Sequence, residues 1–185
     1  MRTVTYGAAC SLDGFIAGRD GSLDWLHFSK DVHQIIGSFW KTIDTVVMGR
    51  ATWEGTPQGD ETTGQPPGDD ATTGIETYVF SRTLTKVTGR GVRLVREDAG
   101  EFVRRLRERP GKGICVMGGG VLARSLFDAG LIDEVGLNIH PVLLGGGVPM
   151  FLPSPARVGL ELAESRVIDG GCVIANYRVR LLAGA

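Results

Sequence analysis

Three short segments of this sequence combine glycines, hydroxyl side chains and arginines in a way that suits phosphate binding. In the clearest one, a buried strand-like run, Gly113–Met117, ends in three consecutive glycines, and a helical pattern starts at once. Glycine lets a ligand approach the backbone closely, and the N–H groups at a helix start attract anions. The pattern predicts a phosphate site, and a tight packing turn is the alternative. The residues concerned are Gly118, Gly119, Gly120, Val121 and Leu122.

An arginine marks the turn in each of the other two segments, which follow strand-like runs at 45–48 and 77–80. A planar guanidinium group can bind two phosphate oxygens at once, and a neighbouring hydroxyl adds a donor. A solvated surface arginine is the alternative interpretation. The residues concerned are Gly49, Arg50 and Thr52 in the first segment, and Ser81 and Arg82 in the second.

The three segments together are stronger evidence for a phosphate-binding site than any one of them, because parallel strands place their carboxyl ends at one side of a sheet. Such a row suits a dinucleotide with a pyrophosphate and an additional 2′-phosphate. Gly118-x-Gly120-x-x-Ala123 also fits a loose Rossmann fingerprint, but no acidic residue ends the next strand to bind a ribose hydroxyl. Two arginines without that acid favour NADP over NAD.

Two carboxylates and one polar pair are further candidates for chemistry. Asp13 lies in a turn after the first strand, where it either contacts substrate or bonds the turn backbone. Asp31 lies at the start of the first helix; it is a proton donor if burial raises its pKa, and otherwise a solvated charge. Asn138 and His140 end a central strand and are placed to face a pocket, although His140 also suits a structural role.

The elements around these residues alternate between strand and helix as far as residue 140. The first helix follows Ser29 as N-cap, and the third lies at 99–109. The last two strands, at 160–167 and 172–179, are joined by a hairpin signal and should pair antiparallel. We therefore expect one α/β domain, 1–185, with a mostly parallel sheet of about seven or eight strands flanked by helices. The apolar stripe of the first helix is Val32, Ile35, Ile36, Phe39, Trp40 and Ile43.

Composition excludes several classes of function. Among 185 residues, 42% are hydrophobic, and the net charge of −1 gives no sign of nucleic acid or membrane-surface binding. No apolar run approaches the length of a membrane span, so we expect a cytoplasmic protein. The three cysteines and three histidines are scattered, which predicts reduced thiols and no metal site. Residues 55–74, rich in Gly, Pro, Thr and Asp, are predicted to form a flexible loop insertion.

The order of these motifs resembles a known fold family. MGR-x-TWE at 48–54, FSR at 80–82 and MGGG at 117–120 are similar to dihydrofolate reductases. SLDGFIA at 11–17 and HPVLLG at 140–145 resemble one branch, the C-terminal reductase domain of the bifunctional riboflavin-biosynthesis deaminase–reductase and its stand-alone bacterial relatives. The resemblance covers about residues 3–180. It implies a dihydrofolate reductase-like domain with a mixed sheet, use of NADPH, and commonly a homodimer.

The resemblance also assigns roles to individual residues. The first arginine segment would hold the adenosine-side phosphates, the second would approach the 2′-phosphate, and the glycines would pack under the pyrophosphate and nicotinamide. Trp25 would stand near the reaction centre, with Asp13 and Asp31 as the other catalytic candidates. Aligned by distance from Met48, the acid of the first helix falls on His33 instead of Asp31. The residues expected along the nicotinamide ring are Ala9, Ile16 and Ala17.

These observations predict an NADPH-dependent reductase acting on a small heterocyclic substrate. By resemblance, the favoured acceptor is 5-amino-6-(5-phosphoribosylamino)uracil, an intermediate of riboflavin biosynthesis. Dihydrofolate reductase activity is the alternative enzyme, and a non-catalytic NADP-binding sensor is the alternative outside catalysis. Either Asp31 or an ordered water would supply the proton. No zinc motif of a deaminase is found in the sequence, so we expect reductase chemistry alone.

Overall fold

A computed structural model of the protein describes residues 1–55 and 74–180. The predicted loop insertion at 55–74 lies, apart from its two end glycines, outside the described residues. The strands are β1 (Val4–Ser11), β2 (Phe15–Ala17), β3 (Ile43–Gly49), β4 (Glu76–Phe80), β5 (Val92–Val95), β6 (Gly113–Met117), β7 (Glu134–His140), β8 (Val148–Pro149), β9 (Gly159–Val167) and β10 (Val173–Arg180). The helices are α1 (Lys30–Trp40), α2 (Arg50–Gly55), α3 (Ala99–Arg107) and α4 (Gly120–Asp128).

Eight of these strands form one sheet in the order β5-β4-β3-β6-β1-β7-β10-β9. The six from β5 to β7 run parallel, and β10 pairs antiparallel with both β7 and β9. This confirms the predicted α/β fold with a C-terminal antiparallel edge. A second, two-stranded sheet joins β2 to β8, a pairing that the sequence pattern did not predict.

The helices cover both faces of the sheet, because the strands carry apolar side chains on both sides. On the α4 face, α3 and α4 bury the larger core, which contains Val4, Tyr6 and Val116. On the α1 face, α1 and α2 bury two smaller clusters, one around Trp40 and Trp53 and one around Val32, Cys172 and Ile174. Each fully buried apolar side chain contributes about 1.5–3 kcal/mol to folding.

Helix α1 begins where the sequence predicts and ends earlier. The Ser29 hydroxyl accepts a hydrogen bond from the backbone N–H of Val32, 3.2 Å away, which caps the helix. The prediction that Ile43 belongs to the helical stripe is wrong. Ile43 starts β3 and pairs with Gly113, since a β-branched residue in this position is buried just as well in the sheet.

Helix α3 ends at Arg107, two residues before the predicted boundary. Its N-cap is Asp98, whose carboxylate accepts from the backbone N–H of Glu101 at 3.0 Å. The three cysteines are free and buried, as predicted. None of the helices in 1–55 and 74–180 is long and apolar enough to cross a membrane.

Candidate functional site

The three phosphate-type segments lie side by side in the structure. β4, β3 and β6 are neighbours in the sheet, with Gly49 paired to Phe80 and Met48 paired to Met117. Their parallel direction brings all three carboxyl ends to one edge. We call this the arginine–glycine edge; it consists of Gly49, Arg50, Thr52, Ser81, Arg82, Gly118, Gly119 and Gly120.

The triple glycine forms a turn that tolerates few side chains. Gly118 has φ +77°, and a Cβ there would collide with the hydroxyl group of Thr52. The N–H of Gly119 donates to Thr52 Oγ1 at 3.2 Å, which ties α2 to the turn. At Gly120 a Cβ would lie 3.1 Å from the Met150 carbonyl oxygen. The structure therefore shows close backbone packing at this turn, and phosphate binding there stays a prediction.

Helix α4 starts at this turn without a side-chain cap. Its N-cap is Gly119, which has no side chain to accept from the first N–H groups. Val121 is 76% exposed, whereas Leu122 is buried against the core. The backbone N–H groups of the first turn therefore remain available to an anion at the arginine–glycine edge.

The two arginines of this edge are solvent-exposed, and the ion pair that Arg50 makes is weak. The Arg50 guanidinium lies 3.8 Å from the carboxylate of Glu54, one helical turn on, with both side chains about half exposed. Such a surface pair contributes about 0–1 kcal/mol, so a phosphate can replace Glu54 at little cost. Arg82 is exposed as well. Both guanidinium groups can therefore turn to a ligand at this edge.

Ser81 and Arg96 shape the turn that carries Arg82. The Ser81 hydroxyl accepts from the backbone N–H groups of Thr83 and Leu84, at 3.2 and 3.0 Å. Arg96 donates to the carbonyl oxygens of Arg82 and Leu84 at 3.4 and 2.6 Å. Sequence reasoning missed Arg96, although it directly follows β5, just as Arg50 follows β3. The same strand-end pattern would have found it.

The middle of the α1 face carries mostly small, partly buried residues between the two apolar clusters. We call Gly7, Ala9, Gly136 and Asn138 the floor. Gly7 pairs with Gly136, and Ala9 pairs with Asn138, so all four point to the same side of β1 and β7. Gly7 and Gly136 carry no side chains and Ala9 carries only a methyl group, and the Asn176 amide borders the floor, since a Cβ at Gly136 would lie 3.2 Å from its Oδ1. Ala9, predicted to lie along the nicotinamide, belongs to this floor.

The other two residues predicted along the nicotinamide ring lie on β2. Ile16 packs against the larger core, and Ala17 pairs with Val148 of β8. β2 also contacts β1. Residues 15–17 therefore pack between β1 and β8. Their contact with a cofactor stays a prediction.

Trp25 joins a cluster around the buried His140. The two rings pack edge to face with centroids 5.3 Å apart, and Trp25 Nε1 donates to the Ser22 carbonyl oxygen at 3.3 Å. His140 is 2% exposed, and its Nδ1 accepts from the backbone N–H of His27 at 3.4 Å. Burial, with a smaller effect from His27, lowers the pKa of His140. The cluster sits two positions along β7 from Asn138.

Asp13 connects two loops. Its carboxylate accepts from the hydroxyl of Ser11 at 2.6 Å and from the N–H groups of Leu144 and Gly145 at 3.1 and 2.8 Å. These bonds, that of Ser11 first, lower the pKa of Asp13. The sequence offered a bond to the backbone of Asp13's own turn as one interpretation, and the backbone groups that it binds here belong instead to a loop more than 100 residues away. Contact with substrate stays a prediction.

Asp31 lies away from the arginine–glycine edge. It is exposed in the first turn of α1, and its Oδ2 is 3.4 Å from the backbone N–H of Asp169, in the turn between β9 and β10. A shallow groove beside it also contains Arg166. In the sheet, β1 and β7 separate this region from β6. The role of Asp31 as a proton donor therefore stays a prediction.

Comparison with known proteins gives a consistent result. The model of the RibD C-terminal domain family matches residues 2–174. The chain is 32% identical to the uncharacterized protein YyaP of Bacillus subtilis over 188 residues, which cover 96% of this chain and 95% of YyaP.

Two solved structures show the same fold. A putative riboflavin biosynthesis protein from Shewanella sp. PV-4 superimposes with a TM-score of 0.81 at 27% identity, covering 97% of this chain and 99% of that one. Dihydrofolate reductase from Enterococcus faecalis, complexed with NADP(H) and RAB-propyl, superimposes with a TM-score of 0.68 at 21% identity, covering 96% of each chain. The chain therefore has a dihydrofolate reductase-like fold and belongs to the RibD C-terminal domain family.

Proposed function

We propose that this member of the RibD C-terminal domain family is an NADPH-dependent reductase acting on a small heterocyclic compound. The observation that carries the proposal is the convergence of two exposed arginines and an uncapped, glycine-started helix at the neighbouring ends of β4, β3 and β6. Phosphate groups are the ligands that this combination of donors prefers. The family of riboflavin-pathway and dihydrofolate reductase-like proteins supports the same conclusion.

The residues at the edge fit NADPH by their chemistry. Arg82, on the turn held by Ser81 and Arg96, would bind the 2′-phosphate, and Arg50 would bind an adenosine-side phosphate. The backbone of Gly118 to Leu122 would bind the pyrophosphate, and Ala9 on the floor would contact the nicotinamide. When bound there, NADPH supplies the hydride. The protein's own part is to orient the two reactants on the floor and to exclude water.

For the acceptor we propose 5-amino-6-(5-phosphoribosylamino)uracil or a close relative. The family's link to riboflavin biosynthesis supports this choice, and the heterocycle would stack next to the nicotinamide over the floor of Gly7, Ala9 and Gly136. Asp31 or an ordered water would deliver the proton that balances the reduction. Dihydrofolate is the second acceptor to be assayed.

We also propose that the protein is a homodimer. β9 forms the free edge of the sheet, and its side chains are exposed along nearly the whole strand. Phe151, Leu160 and Leu162 are about half exposed beside a groove next to α4. Exposed apolar side chains of this kind are typical of an interface between subunits. Light scattering should give twice the chain mass, and Leu162→Lys should shift it toward the monomer.

Titration with NADPH and NADH, followed by fluorescence, tests the cofactor directly. The wild-type protein should bind NADPH more tightly, and Arg82→Ala or Arg50→Ala should each weaken NADPH binding roughly tenfold or more, with a smaller change for NADH. Arg104→Ala is the matched control, since Arg104 is an exposed arginine on α3 that pairs with Glu101. Equal affinity of the wild-type protein for both nucleotides would defeat the 2′-phosphate argument. Tight NADPH binding without turnover of either heterocycle would instead support the sensor alternative.

A further inference from the structure

We propose that Asn138 and His140 recognise the substrate by hydrogen bonds to the polar atoms of its ring. The amide oxygen of Asn138 accepts one hydrogen bond from the heterocycle, and Nε2–H of His140 donates another. The inference rests on the proposed reductase function and adds to it the residues that select the acceptor. It identifies the substrate class as a ring that carries both an N–H or amino donor and a carbonyl or ring-nitrogen acceptor, as a pyrimidinedione does.

The first observation is a pair of unsatisfied polar atoms on one strand. Oδ1 of Asn138 and Nε2 of His140 are both buried without a hydrogen-bond partner. Buried polar side chains are nearly always paired, because an unpaired one costs free energy. In the described part of the chain, Nε of Arg107 is the other such atom, and that guanidinium already binds Asp133. Two unpaired atoms at the end of one strand therefore need an explanation.

The second observation is their common direction. Asn138 and His140 are two positions apart on β7, so both side chains lie on the α1 face, roughly 7 Å apart along the strand. Ala9 and Ser11 are their partners on β1. Asn138 thus borders the open floor beside Ala9, where the nicotinamide is proposed to lie. A substrate that stacks there would lie next to the Asn138 amide.

The third observation fixes which nitrogen of His140 carries the proton. Nδ1 faces the backbone N–H of His27 at 3.4 Å and Sγ of Cys172 at 3.5 Å, and since the amide and the thiol can both donate, we assign Nδ1 as acceptor. In the neutral ring the proton then sits on Nε2. The lowered pKa of His140 keeps the ring neutral near pH 7. Asn138 and His140 therefore present one acceptor and one donor, a combination that matches a heterocycle edge.

Residues 22–27 pack over His140 and make few hydrogen bonds to it. A movement of this segment would expose Nε2 of His140 to a ligand. Trp25 and Leu26 bond within their own segment, to the carbonyl oxygens of Ser22 and Leu23. The contact from His27 to His140 measures 3.4 Å, long for such a hydrogen bond. Moving this segment would break the packing of Trp25 on His140 and this one long contact, and a bound substrate would supply the two missing hydrogen bonds.

The test measures binding and turnover of 5-amino-6-(5-phosphoribosylamino)uracil, with NADPH affinity measured separately on every variant. Asn138→Leu and His140→Phe should each raise KM or Kd for this compound roughly tenfold or more, and any change in NADPH affinity should be several times smaller, because the arginine–glycine edge is unaltered. Asn138→Asp keeps an acceptor oxygen and His140→Gln keeps an N–H donor, so both should recover most of the loss. Thr42→Val, which removes an exposed hydroxyl between α1 and β3, at the other end of the strands, is the control.

The outcomes separate this inference from the proposed function. If Asn138→Leu and His140→Phe bind the compound as the wild type does, or if the wild type binds NADPH but neither this compound nor dihydrofolate, the proposed roles of Asn138 and His140 are wrong. If the wild type does not bind NADPH, the reductase proposal fails, and affinity for the compound measured without NADPH still decides the roles of Asn138 and His140. Should His140→Phe fail to fold, His140→Gln and the Asn138 variants give the answer.

Discussion

The arginine–glycine edge and the floor lie on the same sheet, but they are built in different ways. The edge consists of contiguous motifs, each a strand followed by its own turn, so that three local patterns converge through parallel topology alone. The floor region, by which we mean the floor together with the neighbouring residues around His140 and Asp13, depends on contacts between residues far apart in the chain, such as His27 with His140 and Asp13 with Gly145. On the proposed function, local turns would bind the cofactor, whereas several distant segments together would select the substrate.

Gly118→Ala should produce the largest effect and test the local character of the edge. A side chain at φ +77° is strained, and its Cβ would collide with Thr52, so we expect a loss of about 1–3 kcal/mol of stability and weaker NADPH binding. Urea unfolding and nucleotide titration measure the two effects.

Gly119→Ala is the control for this substitution. Gly119 has φ −32°, and a Cβ there would meet Thr52 Oγ1 at an ordinary 3.8 Å. The stability of this variant should stay close to that of the wild type. If both alanine variants behaved alike, the turn would not depend on the conformation of Gly118.

Thr52→Val should have the next largest effect, because it removes the acceptor for the Gly119 N–H while keeping the shape of the side chain. We expect about 1 kcal/mol of destabilisation and a severalfold loss in NADPH affinity, since α2 is then no longer tied to the glycine turn. Thr52→Ser keeps the hydroxyl and should retain both properties. Unchanged NADPH affinity in Thr52→Val would mean that α2 and the turn act independently.

The pH dependence of stability should separate the floor region from the edge. His140 has a lowered pKa in the folded state, so below about pH 6.5, the ordinary value for histidine, the unfolded chain binds a proton that the folded chain does not. Stability should therefore fall as the pH drops from about 6.5 toward the folded pKa. His140→Gln should flatten this part of the profile, measured by urea unfolding between pH 5 and about 8. A variant profile identical to that of the wild type would contradict the assignment.

The same contrast explains what could be predicted from the sequence. The parallel sheet and the three segments of the edge follow local periodicity and turn chemistry, and the structure shows them where the patterns indicate. The β2–β8 pairing and the bonds of Asp13 to Leu144 and Gly145 were not foreseen, because they join segments more than 100 residues apart. Ile43 was misassigned because a helical period continues by chance into a strand that is also apolar.

The central claim is that one nucleotide contacts three neighbouring strand ends, and amide NMR on the labelled protein tests it most directly. Addition of NADPH should shift the backbone signals of Gly49 to Thr52, of Ser81 and Arg82, and of Gly118 to Leu122 together, with one common binding curve. NADPH-induced shifts confined to another surface, or absent from two of these three segments, would contradict the account.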